Sequence, residues 1–330
     1  LTRRGRHGRG EMATWRDVIE GAERASCEAA DVLEFVPALP DDSVDLLVTS
    51  PPYLKARTYG RDDVARGLDE WVAWMVRVVT AASPKVKGLI AINCEGQTKD
   101  YRYHPSPFVF MAELHRLGFN LRKPPVYQRN GIMGSGGPDW LRNDWEPVVC
   151  VTRPGRLPWS CPTAFGKPPK YGPGGVPSHR QSDGTRVNRQ RVKEMVATGV
   201  SQREAARRVG LEFKTTSGTD DAGTVSVKTY VPPEITNPGN VIKCSVGGGK
   251  MGHKLAHENE APFPLKLAEF FVASFCPPGG LVLDCFSGSG TTAHAAILHG
   301  RRFVGCDLRE SQSALTLRRL RTVTPNLVPA

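Results

Sequence analysis

Two short apolar strands, each followed by a helix, dominate the C-terminal part of this 330-residue chain. The apolar run 281–284 precedes a loop of small residues and a predicted helix over 291–299. The run 303–307 precedes a predicted helix over 310–321. A strand, a helix and a second strand in this order form a right-handed unit with parallel strands. The pattern therefore predicts an α/β protein with a doubly wound, mostly parallel, Rossmann-like sheet.

Further apolar segments upstream extend the predicted sheet and interrupt it once. Strands are predicted over 45–49, 88–93 and 147–152, and helices over 69–82, 106–117 and 264–275. Between Pro154 and Pro238 the chain is rich in Pro, Gly and polar residues, with helical spacing only over 188–209, where Gly199 breaks it. We therefore divide the chain into an N-terminal arm (1–26), the first half of a main domain (27–154), an inserted region (155–240) and the second half of that domain (241–330).

Positive charge is concentrated in two segments. The chain carries 44 Lys and Arg against 33 Asp and Glu, a net charge of +11. Residues 1–10 contribute +4 through Arg3, Arg4, Arg6 and Arg9, and residues 160–214 contribute +7. The rest of the chain is close to neutral. A neutral body with basic appendages favours a polyanionic partner, although solvated loops would have the same composition.

Composition excludes several classes of protein. No stretch approaches 18 uncharged apolar residues, so a membrane span is not expected. The first ten residues, LTRRGRHGRG, lack the apolar core of a secretory signal. The eight cysteines are scattered without a C-x-x-C pair, which disfavours a zinc ribbon and a disulfide scaffold. We expect a cytoplasmic globular protein.

The loop after strand 281–284 predicts a nucleoside-type cofactor. It reads Asp284-Cys-Phe-Ser-Gly-Ser-Gly-Thr-Thr292, and its small residues let backbone N–H groups approach a ligand closely. About twenty residues later a strand ends in Asp307, where an acid can bind a ribose diol. Dinucleotide, nucleotide and S-adenosylmethionine binders share this pattern. No Walker lysine follows the loop, which disfavours a P-loop.

The second motif is Thr49-Ser-Pro-Pro-Tyr53, at the end of a predicted buried strand. Two prolines lock the backbone and remove two donors, so that carbonyl oxygens stand beside a hydroxyl and an aromatic ring. This group suits a planar ligand that bears an amine. An ordinary Pro-Pro turn with a packed tyrosine is the alternative interpretation.

Together the two motifs resemble those of the DNA amino-methyltransferases, which methylate the exocyclic nitrogen of cytosine or adenine. The Ser-Pro-Pro-Tyr element precedes the glycine loop, as in the permuted (beta) class of that family. Similar segments also occur at 27–35, 39–46, 237–242, 260–265 and 301–307, so the resemblance covers 27–153 and 235–321. One departure is Cys285, where the family usually has proline. The resemblance makes 27–154 the catalytic half, 155–240 the target-recognition region and 241–330 the cofactor-binding half.

The resemblance implies S-adenosyl-L-methionine as the cofactor. Loop 284–292 would wrap its amino-acid moiety, with Asp284, Phe286, Ser287, Gly288, Gly290, Thr291 and Thr292 as candidate binding residues. Asp307 would bind the ribose hydroxyls, and Asp31 the adenine amine. Pro262 and Phe263 would border the methionine tail.

The candidate catalytic residues are Ser50, Pro51, Pro52 and Tyr53. By resemblance, the Ser50 hydroxyl and the Pro51 carbonyl would accept the two hydrogens of the target amine, and Tyr53 would stack on the flipped base. Adenine-N6 members of the family usually have Asp or Asn at the position of Ser50, and cytosine-N4 members usually have Ser. This favours cytosine N4, with adenine N6 as the alternative.

The inserted region is predicted to contact DNA. Segment 200–211 resembles half of a helix-turn-helix, with Ser201 as N-cap and Glu204 at the capping-box position, but no second helix is evident over 214–219. An amphipathic helix with a solvated arginine face is the alternative interpretation. The candidate DNA-binding residues are Arg180, Arg186, Arg203, Arg207 and Arg208.

The expected partners are double-stranded DNA and, as a further candidate, a cognate restriction endonuclease. No metal is expected, because His253 and His257 lack a carboxylate or cysteine at a useful spacing. Two other functions remain open on the sequence alone. One is a non-catalytic DNA-binding regulator, and the other is a methyltransferase that acts on RNA or on a protein amine.

Overall fold

The apolar runs form a nine-stranded sheet, and the amphipathic segments between them form helices. The computed structural model describes residues 13–54, 67–130, 136–139, 141–169, 178–180, 186–188, 190–208, 233–246, 251–259 and 261–323. The four arginines of the N-terminal arm lie outside these ranges, as does segment 214–219.

Thirteen strands and nine α-helices occur in the described ranges. The strands are β1 (Ala25–Ala29), β2 (Val44–Thr49), β3 (Val86–Asn93), β4 (Gln97–Lys99), β5 (Arg102–His104), β6 (Asn120–Arg122), β7 (Val126–Asn130), β8 (Trp145–Thr152), β9 (Ser178–Arg180), β10 (Arg186–Asn188), β11 (Val241–Ser245), β12 (Leu281–Asp284) and β13 (Arg302–Asp307). The α-helices are α1 (Trp15–Ile19), α2 (Val32–Ala38), α3 (Leu68–Ala82), α4 (Ser106–Arg116), α5 (Gln190–Ala197), α6 (Gln202–Arg208), α7 (Leu265–Phe275), α8 (Thr291–Leu298) and α9 (Glu310–Val323), and a 3-10 helix spans Lys254–Glu258.

The large sheet is mostly parallel. Its strand order is β1-β13-β12-β2-β3-β8-β7-β11, with β6 also paired to β8. Strand β8 is antiparallel to β3, β6 and β7, whereas the other pairs in this sheet are parallel. The doubly wound, Rossmann-like α/β fold predicted from the sequence is therefore confirmed.

Helices cover both faces of the sheet, because alternate strand residues point to opposite faces. Along β2, Leu47 packs in one apolar cluster with α2, α3 and α4, whereas Leu46 and Val48 pack in the other with α7 and α8. All three side chains are at most 4% exposed. None of the helices in the described ranges has the length and hydrophobicity needed to cross a bilayer.

The chain changes direction between β2 and β12. These two strands are parallel neighbours at the centre of the sheet, with Leu46 opposite Val282. From β2 the chain passes through α3 to β3 on one side, and from β12 it passes through α8 to β13 on the other. The crevice beyond the carboxyl ends of such a strand pair is the usual ligand site of a doubly wound sheet.

Residues 166–237 form a second compact unit. The backbone N–H and the hydroxyl of Thr236 both donate to the carbonyl of Lys167, which joins the two ends of this unit. Helices α5 and α6 pack together within it, separated by a turn in which Gly199 has φ +86°. The predicted cap is present, because the N–H of Glu204 donates to Ser201 Oγ over 3.3 Å. The chain boundaries that we proposed at residues 155 and 240 remain a prediction.

Candidate active site

A cavity of about 400 Å³ opens at the carboxyl ends of β2, β12 and β13. The Ser-Pro-Pro-Tyr turn lines it from one side, and Cys285, Phe286 and Gly288 of the glycine loop line it from the other. The two motifs are more than 230 residues apart in the chain. They meet because β2 and β12 pair directly in the sheet.

A buried hydrogen bond joins the two strand ends beneath the cavity. Thr49 Oγ1, at the end of β2, donates to Asp284 Oδ1, at the end of β12, over 2.6 Å. The N–H of Phe286 donates to the same carboxylate oxygen over 3.1 Å. Asp284 is 1% exposed and is not among the residues that line the cavity. Its carboxylate therefore holds the strand ends and the start of the loop in place.

Burial raises the pKa of Asp284 to about 6 from the ordinary value of 3.8, although hydrogen bonds from Thr49 and Phe286 favour the charged form. A carboxyl group with a raised folded-state pKa binds its proton more tightly in the folded protein. Its ionisation therefore costs stability as the pH rises between the two values, and the cost is complete above pH 6. Below about pH 4 the cost disappears, because both states are protonated.

The variant Asp284→Asn should therefore be more stable than the wild type above pH 6. We expect a gain of up to about 3 kcal/mol at pH 7.5, since one pKa unit corresponds to about 1.4 kcal/mol, and no gain at pH 4. Urea unfolding of both proteins at the two pH values measures the difference. The exposed, matched variant Asp69→Asn should show no gain. A less stable Asp284→Asn protein at pH 7.5 would contradict the prediction.

The glycine loop is shaped by close contacts that exclude a side chain. Gly288 has φ +50°, and a Cβ atom added there would lie 2.5 Å from Asn259 Nδ2. The N–H of Gly288 donates to Asp307 Oδ2 over 3.0 Å. Gly290, with φ +72°, caps helix α8. The loop therefore brings its backbone to the edge of the cavity, as its small residues predict.

Two predicted carboxylates lie on the rim of the cavity. Asp307 ends β13, and its Oδ1 accepts from the N–H of Arg309 over 3.0 Å. Asp31 is the N-cap of α2, where its Oδ1 accepts from the N–H of Leu33 over 2.7 Å. Both residues line the cavity with fixed orientations. Carboxylates held in this way can accept hydrogen bonds from hydroxyl or amine groups of a ligand.

The other predicted cofactor residues lie around the cavity rather than on its lining. Thr291 Oγ1 accepts from the buried Arg319 over 2.9 Å, and Thr292 Oγ1 donates to the carbonyl of Val48 over 3.4 Å. Phe263 packs against an apolar cluster of the core. The residues outside the lining are Pro262, Phe263, Asp284, Ser287, Gly290, Thr291 and Thr292, whereas Asn259 and Ala261, which do line it, were not predicted from the sequence.

The Pro-Pro turn is anchored from the core. The indole Nε1–H of Trp71, which is fully buried on α3, donates to the carbonyl of Pro52 over 2.8 Å. This carbonyl therefore faces the core, and the Pro51 carbonyl is the one left for a ligand. The Trp71 ring makes an edge contact with Phe110 at 5.8 Å between centroids.

A buried polar network under Tyr53 was not predicted from the sequence. The Tyr53 hydroxyl donates to Glu146 Oε2 over 2.7 Å, and Asn93 Nδ2 lies 2.8 Å from the Tyr53 hydroxyl and 2.6 Å from Glu146 Oε2. Arg129 Nη1 is 3.2 Å from Glu146 Oε1. Burial, followed by the nearby Glu146 carboxylate, raises the pKa of Tyr53 well above 10, so its phenol keeps its proton. The one sequence signal was an acid at the start of an apolar strand.

The predicted DNA-binding arginines belong to the second compact unit. Arg207 and Arg208 are exposed on α6, and both pair with Glu204, at 3.0 Å and 2.9 Å. Strands β9 and β10 place Arg180 opposite Arg186 in an antiparallel pair. The side chains of Arg180, Arg186 and Arg203 lie outside the part of the chain that the structure describes.

The predicted histidine pair has a structural partner on one side. His253 Nδ1 accepts from the N–H of Leu255 at the start of the 3-10 helix, and its Nε2 lies 3.0 Å from Thr322 Oγ1. Within the described ranges no group of three or more His, Cys, Asp or Glu side chains could hold a metal ion.

Comparison with known proteins gives a family match over most of the chain. A family model for DNA methylases of the N6 and N4 methyltransferase type matches residues 44–318. The type II methyltransferase M.SfiI of Streptomyces fimbriatus is 22% identical over an alignment that covers 85% of this chain and 87% of that protein. Shorter matches to other methyltransferases, 36–49% identical, cover 14–33% of the length of those proteins.

Solved structures share the fold at low sequence identity. The cytosine-N4-specific PvuII DNA methyltransferase superposes with a TM-score of 0.56 at 18% identity, covering 90% of this chain and 86% of that one. The TTHA0409 protein of Thermus thermophilus, a DNA modification methylase in complex with S-adenosyl-L-methionine, has a TM-score of 0.53 at 20% identity and covers 92% of this chain and 96% of its own.

Proposed function

This chain belongs to the DNA methylase family of N6 and N4 methyltransferases, and we propose that it transfers a methyl group from S-adenosyl-L-methionine to the N4 amine of a flipped cytosine in DNA. The observation that carries the proposal is the shared cavity. It brings Ser50 and Pro51 next to the glycine loop and Asp307, as transfer between two bound molecules requires.

The residues present fit the cofactor. Gly288 leaves space that a Cβ would fill, Asp307 offers a carboxylate at the strand end, and Phe286 supplies an apolar wall beside Trp74. Asp307 would hold the ribose hydroxyls, and Asp31 the adenine amine. Asp284, Ser287, Gly290, Thr291 and Thr292 would then support the loop that cradles the methionine end, with Asn259 and Ala261 at the rim instead of Pro262 and Phe263. When bound, the cofactor supplies an electrophilic methyl group on a sulfonium.

Ser50 and Pro51 solve the chemical problem of the acceptor. An exocyclic amine donates its lone pair into the base ring and is therefore a weak nucleophile. If Ser50 Oγ and the Pro51 carbonyl oxygen each accept one amine hydrogen, the lone pair is freed for attack along the axis of the methyl bond. The acceptors interact more strongly as positive charge develops on the nitrogen, which lowers the barrier. The nitrogen then loses one proton and becomes a neutral methylamine.

Ser50 also supports cytosine as the target base, since the adenine-N6 members that this chain resembles usually have Asp or Asn at that position. Adenine N6 remains the alternative. Flipping the base out of the duplex costs a few kcal/mol, and the ring of Tyr53, on the cavity wall, would stack on it. The basic residues of unit 166–237, among them Arg180, Arg186, Arg203, Arg207 and Arg208, would contact phosphates, giving a salt-dependent affinity. A cognate restriction endonuclease is a further proposed partner.

Mass spectrometry of nucleosides tests the proposed function. DNA from cells that express the protein should contain N4-methylcytosine, and DNA from cells that express the Ser50→Ala variant should not. N6-methyladenine instead would overturn the choice of base and keep the enzyme class. If neither modification appears with the wild-type protein, the proposal fails and a non-catalytic DNA-binding role is favoured.

Replacing Asp307 with asparagine should weaken cofactor binding by about 10–100-fold. Hydrogen bonds to a charged group contribute about 1.5–3 kcal/mol, and the amide keeps only one of the two acceptor oxygens. Isothermal titration with S-adenosyl-L-methionine measures the dissociation constant. The variant Asp41→Asn, which changes an exposed carboxylate paired with Lys85, is the control. An unchanged dissociation constant for Asp307→Asn would remove this residue from the proposed site.

A further inference from the structure

The hydrogen bonds beneath the Ser-Pro-Pro-Tyr turn can have only one direction. Glu146 accepts at both oxygens, from Tyr53 and Asn93 at Oε2 and from Arg129 at Oε1. An ionised carboxylate has no proton to donate, and the amide nitrogen of Asn93 can only donate. The single proton of the Tyr53 hydroxyl is therefore committed to Glu146.

The next bond in the chain follows from the first. The Tyr53 oxygen has two acceptor positions left, which the Asn93 amide and the Ser50 hydroxyl occupy at 2.8 Å and 3.2 Å. Because Tyr53 cannot donate to Ser50, Ser50 must donate to Tyr53. The one proton of Ser50 then points away from the cavity, and only lone pairs of Ser50 Oγ are left for a ligand.

We infer that Glu146 is a positioning residue which, through Tyr53, makes Ser50 a hydrogen-bond acceptor only, so that the cavity takes a base with an exocyclic amine and rejects a carbonyl oxygen at the same position. Glu146 is 6% exposed and reaches no part of the cavity lining itself. Its effect passes through the two hydroxyl groups. The inference rests on the proposed function, and it adds a determinant of substrate class from a strand remote in sequence.

Loss of the carboxylate should reverse or release the chain of hydrogen bonds. In Glu146→Gln the amide can donate to Tyr53, which then donates to Ser50 and turns the Ser50 proton towards the cavity. In Tyr53→Phe the ring stays in place while Ser50 loses its partner, and the pair between Glu146 and Arg129 is preserved. Each variant should slow methyl transfer by about 10–100-fold, because one preorganised acceptor is lost or misdirected.

A double-mutant cycle tests this inference. Single-turnover transfer of a radiolabelled methyl group from S-adenosyl-L-methionine to plasmid DNA is measured for the wild type, Glu146→Gln, Tyr53→Phe and the double variant. If Glu146 acts through Tyr53, the double variant should be no slower than Tyr53→Phe within about threefold. All four proteins should bind the cofactor with dissociation constants within about twofold. The control Tyr103→Phe removes a half-exposed phenol hydroxyl elsewhere and should keep the wild-type rate.

Three results would overturn the inference. The first is an unchanged rate in Tyr53→Phe, which does not disturb the buried ion pair. The second is a double variant whose loss is the product of the two single losses. The third is a Glu146→Gln protein that loses cofactor affinity as much as rate, since that indicates a general structural role. If the wild type does not methylate DNA at all, the proposed function fails, whereas full activity of both single variants refutes only the inference.

Discussion

Purified Ser50→Ala protein is expected to methylate DNA about 10²–10³-fold more slowly than the wild type and to bind S-adenosyl-L-methionine equally well. Ser50 is proposed to accept a hydrogen from the target amine, an interaction that strengthens as charge develops in the transition state. Removing one preorganised partner of this kind typically costs about 10²–10³-fold in rate. The hydroxyl lies on the acceptor side of the cavity, so cofactor affinity should be unaffected.

Single-turnover kinetics with radiolabelled cofactor, combined with isothermal titration, separate the two quantities. The matched control is Ser43→Ala, which removes an exposed hydroxyl bonded to the carbonyl of Pro40 just before the same strand. It should leave both rate and affinity unchanged. A Ser50→Ala rate within threefold of the wild type would mean that another group holds the amine.

The variant Trp71→Ala is expected to lose about 3–5 kcal/mol of folding stability. Trp71 is among the largest fully buried side chains, and its removal leaves a large cavity between α3 and α4. It also leaves the Pro52 carbonyl without its donor, which should loosen the Pro-Pro turn. The midpoint of urea unfolding should fall accordingly, and the denaturant slope should stay the same.

The variant Trp71→Phe separates packing from the hydrogen bond. It keeps an aromatic ring in contact with Phe110 but cannot donate to Pro52, so we expect a smaller loss, about 1–3 kcal/mol, together with slower methyl transfer. Trp145→Phe, at a half-exposed site on β8, should change stability by less than about 1 kcal/mol. If Trp71→Phe has full activity, the anchor is not needed to hold the turn.

The strands and helices that carry the two motifs were predictable because their signals are local. The strand 281–284 is β12 as predicted, and the predicted strands over 45–49 and 303–307 are β2 and β13 with one more residue at the start. Each is an apolar run that ends in a polar residue or a turn. In contrast, β1 has the sequence ASCEA, and β11 alternates exposed and buried residues at the edge of the sheet. Neither has the dense apolar run on which the strand predictions relied.

The roles of individual loop residues were harder to predict, since a motif does not tell which side chains face the cavity. The motif suggested Asp284 as a ligand-binding acid, yet its carboxylate bonds Thr49 and lies beneath the cavity lining. Thr291 and Thr292 bond the protein interior for the same reason, because the first turn of α8 is buried on all sides. Gly288 and Asp307 could be placed at the edge from sequence, since a small residue and a strand-end acid have few other uses there.

By itself, the sequence determined the α/β class, the parallel order of the C-terminal units and the two strand-end motifs, because these depend on periodicity within a few turns or strands. The tertiary structure alone decided that Glu146, on the antiparallel strand β8, stands under Tyr53 and so directs the proton of Ser50. That contact joins residues 93 positions apart. It depends on which strands become neighbours in the sheet, and neighbouring strands are selected by the packing of the whole core and not by any local pattern.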